Sequence, residues 1–186
     1  MTLEKVKFIA FGAGQCSSVL PFILNDYDLI IFADTGYELP LTYEWVKIVQ
    51  KSFPKKFVWL KTNMPNDIVN MHPPMCTKTF KILPIRRYLR SIGVKKAIKY
   101  LGMTSNEKSR IKLNDVKWIT NEFPLIKMNW SRKKCQNFLL DNFGIVPPRS
   151  GCTICKYFTR HHLVDGINKK FKEPGEVKPL EMGSLR

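Results

Sequence analysis

The sequence predicts an α/β domain built on a parallel sheet. Short runs rich in Val, Ile and Phe alternate with helical patterns from Lys5 onward. The first two of these runs stop at turn-forming residues, Gly12-Ala13-Gly14 and Asp34-Thr35-Gly36. Strand, helix, strand, helix, strand in that order implies right-handed crossovers, and a ligand then belongs at the carboxyl ends of the strands.

Lys5–Phe11 is the first strand, apolar along most of its length as a strand covered on both faces must be. Ser17 or Ser18 is placed to cap a helix running through Val19, Leu20, Phe22, Ile23 and Leu24, with Pro21 in its first turn, where a missing N–H costs nothing. Leu29–Ala33 is a second, central strand. Pro40 opens a helix through Trp45, Val46, Ile48 and Val49, and Phe57–Leu60 is a third strand. Farther on, the pattern predicts a helix over Ile82–Ile92, a strand over Ala97–Leu101 and an amphipathic helix over Ser131–Asn142, capped by Ser131. From about Asn168 the chain is charged and carries Pro174, Gly175 and Pro179, the composition of a tail. The organisation expected is one domain over residues 1–160 and a C-terminal extension over 161–186.

With 186 residues, 44% of them hydrophobic, the chain is long enough to bury a core. No apolar run reaches bilayer-spanning length, and the N-terminal residues lack a signal-peptide layout. A soluble cytoplasmic protein with no membrane association is expected; its oligomeric state is left open. Thirty-one Lys and Arg against fifteen Asp and Glu give a net charge of +16. That excess suits a polyanionic partner such as nucleic acid, or else a heavily solvated surface. It concentrates between Lys81 and Lys112, where ten cationic residues face one acid, Glu107. Arg86 and Arg90 stand four apart, so one helix face there is expected to be cationic. Glu107 is placed to pair with Arg110 or to bind a metal.

Gly12-Ala13-Gly14-Gln15-Cys16-Ser17-Ser18, between a strand and a helix, forms either an anion cradle or a tight turn. Small residues let backbone N–H groups approach oxygen atoms, and Ser17 adds a hydroxyl. The run is neither a Walker A loop nor G-x-G-x-x-G. Five cysteines, an odd number, point to thiol or metal chemistry in a reducing compartment. Cys152 and Cys155 have the C-x-x-C spacing that lets two thiolates share one metal, with Cys76 and Cys135 available to complete four. Free structural thiols and a redox pair are the other readings of that spacing. Cys16 is assigned to the loop instead. His161 and His162 read as surface or packing residues, and Trp45, Trp59 and Trp118 as core, with Trp130 beside the ligand site.

Phe11–Ser18 resembles the loop of the PP-loop ATP pyrophosphatases, in the variant found in phosphoadenosine-phosphosulfate reductase-like proteins. Similar segments follow in order: Phe32–Pro40, Cys76–Arg87, Gly102–Arg110, Pro124–Ile126 with Trp130–Arg132, and Ser150–Cys155. The resemblance implies a Rossmann-like sheet flanked by helices, with a Cys-containing C-terminal extension, that binds ATP or an adenylyl sulfate with Mg2+. It implies nucleotide contacts from Phe11, Gly12, Ala13, Gly14, Gln15, Ser17 and Ser18. Further contacts come from Asp34, Thr35 and Gly36, and from Arg87, Glu107 and Arg110. Ser17, Lys81 and Arg86 carry the catalytic role. Cys76, Cys135, Cys152 and Cys155 match positions that hold a [4Fe-4S] cluster in the family, with zinc as the other occupant. Gln15 and Cys16 stand where many members carry Lys and Asp, and the reductases' Glu-Cys-Gly-Leu-His signature is absent. The function implied is ATP cleavage at the α-phosphate in support of sulfur transfer or nucleic-acid modification. The competing readings are a sulfonucleotide reductase relative and a non-catalytic nucleotide- or nucleic-acid-binding module.

Overall fold

The computed structural model describes residues 4–65, 75–111 and 116–154. Its centre is a five-stranded parallel sheet: β1 (Lys5–Ala10), β2 (Leu29–Asp34), β3 (Phe57–Lys61), β4 (Lys96–Tyr100) and β5 (Ile119–Glu122). The strands lie in the order β3-β2-β1-β4-β5, every neighbouring pair parallel. The chain builds outward from β1 first in one direction and then in the other. That reversal leaves a crevice between the carboxyl ends of β1 and β4.

Alternation along the strands feeds two cores, because successive side chains point to opposite faces. Ile9, Ile30 and Phe32 face one side, where they meet α1 (Leu20–Ile23), α2 (Pro40–Ser52) and α6 (Arg132–Phe143) through Leu20, Trp45 and Leu139. Val6, Phe8 and Ile31 face the other side and pack with Leu89 of α4 (Leu83–Ser91). The sheet is therefore covered on both faces, which is why its central strands read as near-continuous apolar runs.

The predicted strands and α2 lie where the sequence places them, with ends shifted by a residue or so. Ser131 caps α6 as expected, its hydroxyl accepting from Lys134 N–H at 3.2 Å. The helix after β1 differs. Only Leu20–Ile23 is helical, its N-cap is Val19, and neither Ser17 nor Ser18 caps it, because both hydroxyls are engaged elsewhere. The helical stretch predicted from Ile82 begins earlier, with α3 (Met75–Thr77) and a π-helical turn over Lys78–Ile82. Leu83 N–H bonds Lys78 O, five residues back, immediately before Pro84, which has no N–H to donate. The wider turn thus falls where the α-helical ladder is already interrupted. β5, the short α5 (Pro124–Lys127) and a 3-10 segment at Ser105–Arg110 were not foreseen. No described helix is long and apolar enough to cross a membrane. The predicted tail, Cys155, His161, His162 and Lys112 lie outside the described residues.

Candidate functional site

The loop after β1 is shaped by close backbone approaches on two sides. Phe11 N–H still bonds Ile31 O at 3.0 Å, and Ala13 then turns into the left-handed region at φ 53°. That conformation costs an alanine about 1 kcal/mol and is worth noting at a strand end. Gly14 O accepts from Ser18 N–H at 3.0 Å and from the Ser17 hydroxyl at 3.1 Å, closing the turn. A Cβ on Gly102, just beyond β4, would lie 2.5 Å from Ser17 N and Cα, and one on Gly14 would lie 2.9 Å from Ser150 N. Two glycines therefore hold the loop between the β4 end and the Ser150 segment. Gly14 serves this packing as much as any ligand.

These contacts frame a cavity of about 500 Å3 at the β1–β4 crevice. Gly12, Cys16 and Ser17 form one wall, and Arg110, Arg132 and Arg149 supply cationic groups. Glu107 is the carboxylate in this lining. It completes a capping box with Thr104, at 3.3 Å from the backbone N–H and 3.2 Å from the hydroxyl, and pairs with Arg110 and, at 3.7 Å, with Arg132. Its expected partnership with Arg110 is present. Three guanidinium groups against one carboxylate leave the cavity positive, as an anion site requires.

Across Gly12 the crevice continues into an apolar cavity of about 220 Å3 on the α4 side of the sheet, lined by Phe8, Ile31 and Ile85 among others. The two cavities share Ala10, Gly12 and Leu101. Lys81 and Arg86 border the apolar cavity, whereas Ser17 borders the polar one, so the expected catalytic trio does not share one chamber. Lys81 Nζ donates to Glu38 Oε1 at 2.8 Å; the Glu38 side chain is fully buried and that of Lys81 is 28% exposed. Burial pulls the Lys81 ammonium down, but Glu38, with Cys152 and Cys76 nearby, outweighs it and holds the pKa above its ordinary value.

The remaining candidates divide sharply. Phe11 is buried in an aromatic cluster with Phe32 and Phe57 and edges the apolar cavity. Ser18, expected to hold phosphate, instead faces the core: it is fully buried and its hydroxyl accepts from Trp45 Nε1 at 2.7 Å. Asp34 accepts from Gly36 N–H, the Tyr43 hydroxyl and Trp59 Nε1 at 2.8, 2.8 and 2.9 Å, so its carboxylate builds its own loop. Thr35 and Gly36 border a separate cavity of about 550 Å3 with Tyr37, Lys61 and Asn63. Arg87 is exposed. Arg86 lies against the apolar cavity while Arg90 packs over the Trp118 ring at 4.0 Å and donates to Val94 O. Their side chains thus serve different contacts. Trp130 is buried, with Lys134 over its ring.

The cysteines group differently from the expected set of four. Cys135, in the first turns of α6, is buried in the same core cluster as Cys16, the cysteine assigned to the loop. Cys152 lies 3.4 Å from the Thr35 hydroxyl and, with Cys76, near Lys81. Among the described residues no group of three or more metal-binding side chains is present, and Cys155 lies outside them. Gly102, Arg132, Arg149 and Ser150 are the site residues that sequence reasoning did not select, although each stands in or beside a segment carrying the family resemblance.

No protein-family model and no curated protein matches the sequence. Among solved structures the fold is similar to a phosphoadenylyl-sulfate (PAPS) reductase from Candida auris, crystallised as a phosphate complex. The match has a TM-score of 0.55 at 18% identity and covers 79% of this chain and 75% of that one. The chain thus has a PAPS reductase-like α/β fold.

Proposed function

We propose that the protein binds an adenine nucleotide across the β1–β4 crevice and cleaves ATP at its α-phosphate. The observation that carries this reading is the junction at Gly12 of a cationic cavity of about 500 Å3 with an apolar one of about 220 Å3. A nucleotide has the same two halves. Its phosphates suit the loop backbone, Ser17 and the three arginines; its flat base suits the space beside Phe11 and Leu101.

In the reaction, an acceptor nucleophile forms a bond to the α-phosphorus as the bridge to the β-phosphate breaks, and pyrophosphate leaves. Arg110, Arg132 and Arg149 are placed to stabilise charge on the departing phosphates, and fixed donors of this kind supply the largest catalytic contribution in many enzymes. Glu107 already bonds Thr104 and two arginines, so Mg2+ would be held chiefly by the phosphates themselves. The described cysteines do not assemble a cluster site. With a net charge of +16, nucleic acid is the acceptor class favoured.

The test is product analysis with ATP in the presence of RNA or DNA. AMP and pyrophosphate are expected, and ADP with phosphate would contradict the reading. The likeness to a PAPS reductase favours a second reading, in which an external dithiol, itself oxidised to a disulfide, reduces an adenylyl sulfate to sulfite and the free nucleotide. Binding without any of these products would leave a nucleotide-binding module.

A further inference from the structure

Among the described residues, the fold disperses most of the cations of the Lys81–Lys112 segment. Lys81 pairs with Glu38, Arg86 borders the apolar cavity, Arg90 lies over the Trp118 ring, and Lys96 opens β4 at the amino end of the sheet. A different grouping forms beside the cationic cavity. There the 3-10 segment Ser105–Arg110 lies against the start of α6. The Ser105 N–H and hydroxyl both donate to Trp130 O, at 3.0 and 3.3 Å, and Glu107 pairs with Arg110 and Arg132. These contacts bring Lys108 and Arg110 next to Arg132, Lys133 and Lys134, with Glu107 the one acid of residues 105–110 and 131–134.

The five cations divide by position. Arg110 and Arg132 line the cavity, whereas Lys108, Lys133 and Lys134 are exposed and do not line it. Glu107 is engaged by the two arginines, and among the described residues no carboxylate pairs with any of the three lysines. Lys134 lies over the Trp130 ring at 4.7 Å, a contact that leaves its charge in place. The first turn of α6 holds no acid, although a helix dipole favours acids there, so the concentration of cations costs the free protein stability. A polyanion laid along this rim would offset that repulsion.

We propose that Lys108, Lys133 and Lys134 form a docking surface for single-stranded nucleic acid, placed to feed one nucleotide into the cationic cavity. The strand's role as acceptor rests on the nucleotide reading above; its docking does not. Successive phosphates meet the exposed lysines, a contact that holds the strand without reading its sequence. The cavity selects the single-stranded form. A base stacked in a duplex cannot reach a phosphorus held between the loop after β1 and Arg132, whereas a single strand can turn one nucleotide inward.

Fluorescence anisotropy of labelled single-stranded oligonucleotides with the full chain, without ATP and across a salt series, tests this. RNA and DNA of one mixed sequence both carry the phosphates the surface meets, and the tighter binder identifies the natural strand. Lys108→Ala, Lys133→Ala and Lys134→Ala together should weaken binding about tenfold and flatten the logarithmic salt slope by about 2, at roughly 0.7 per lost phosphate contact. ATP affinity should not change. Lys47→Ala, Lys51→Ala and Lys55→Ala remove the same charge from exposed positions on and after α2, and should leave oligonucleotide binding near that of the wild type. Should the first triple variant misfold, Lys108→Glu with Lys133→Glu makes the same comparison. Equal losses in the two triple variants would overturn the proposal, because net charge alone would then account for binding. A duplex bound as tightly as the single strand, or no binding by the wild type, would also overturn it. Binding that depends on the three lysines in a protein that releases no pyrophosphate would fail the α-phosphate reading alone.

Discussion

Two loops leave the carboxyl edge of this sheet side by side, and they use polar residues in opposite ways. After β1, glycines bring backbone against backbone, and Ser17, Arg110 and Arg132, though they bond Gly14 O and Glu107, also border the cationic cavity. After β2, the polar groups are spent on one another. Asp34 takes three hydrogen bonds from its own surroundings, and Glu38 takes the Lys81 ammonium. On the proposed reading the first loop receives a ligand, whereas the Asp34 carboxylate of the second is engaged in building its own loop.

Substitutions can break this contrast. The largest effect is expected at Gly102→Ala, where the new methyl would stand 2.5 Å from Ser17 backbone atoms. Stability should fall by about 3 kcal/mol in urea unfolding, and ATP affinity should fall at least tenfold with it. Asp34→Ala should cost about 2 kcal/mol, because the half-buried donors of Tyr43 and Trp59 lose their acceptor. ATP affinity measured on the folded fraction should hold. Glu38→Gln should cost about 2 kcal/mol, less than a fully enclosed pair would, because Lys81 can still reach water. Thermal melting checks this, and the cost should shrink in Glu38→Gln with Lys81→Met. Gly36→Ala has the smallest effect, about 1 kcal/mol: its φ of 85° strains an alanine, but nothing lies within 4 Å of the added carbon. An affinity loss at Asp34 or Gly36 matching that at Gly102 would erase the distinction between the loops.

Much of this was legible in the sequence, for physical reasons. β1 and β2 are covered on both faces and announce themselves as apolar runs, and the Ser131 cap is local chemistry. β5 was not legible: Ile119-Thr-Asn-Glu lies at the sheet edge with one buried apolar residue, too little to make a pattern. Of adjacent serines, only the fold decides that Ser17 borders the cavity and that Ser18 supports Trp45. The Gln15–Gln136 contact spans most of the chain and has no local signal. Gly102 became meaningful only when the sheet order placed β4 beside β1.

The central claim is that a nucleotide lies across Gly12, and titration calorimetry of ATP into wild-type and Gly12→Val protein tests it most directly. Gly12 does not adopt a positive φ, and a Cβ there meets only the Ser17 and Ser150 side chains at 3.8 Å and beyond. The fold should therefore accept valine, while its methyls fill the junction between the two cavities. Loss of ATP binding with an unchanged melting temperature is the predicted result. A folded Gly12→Val protein that binds ATP as the wild type does would contradict the account.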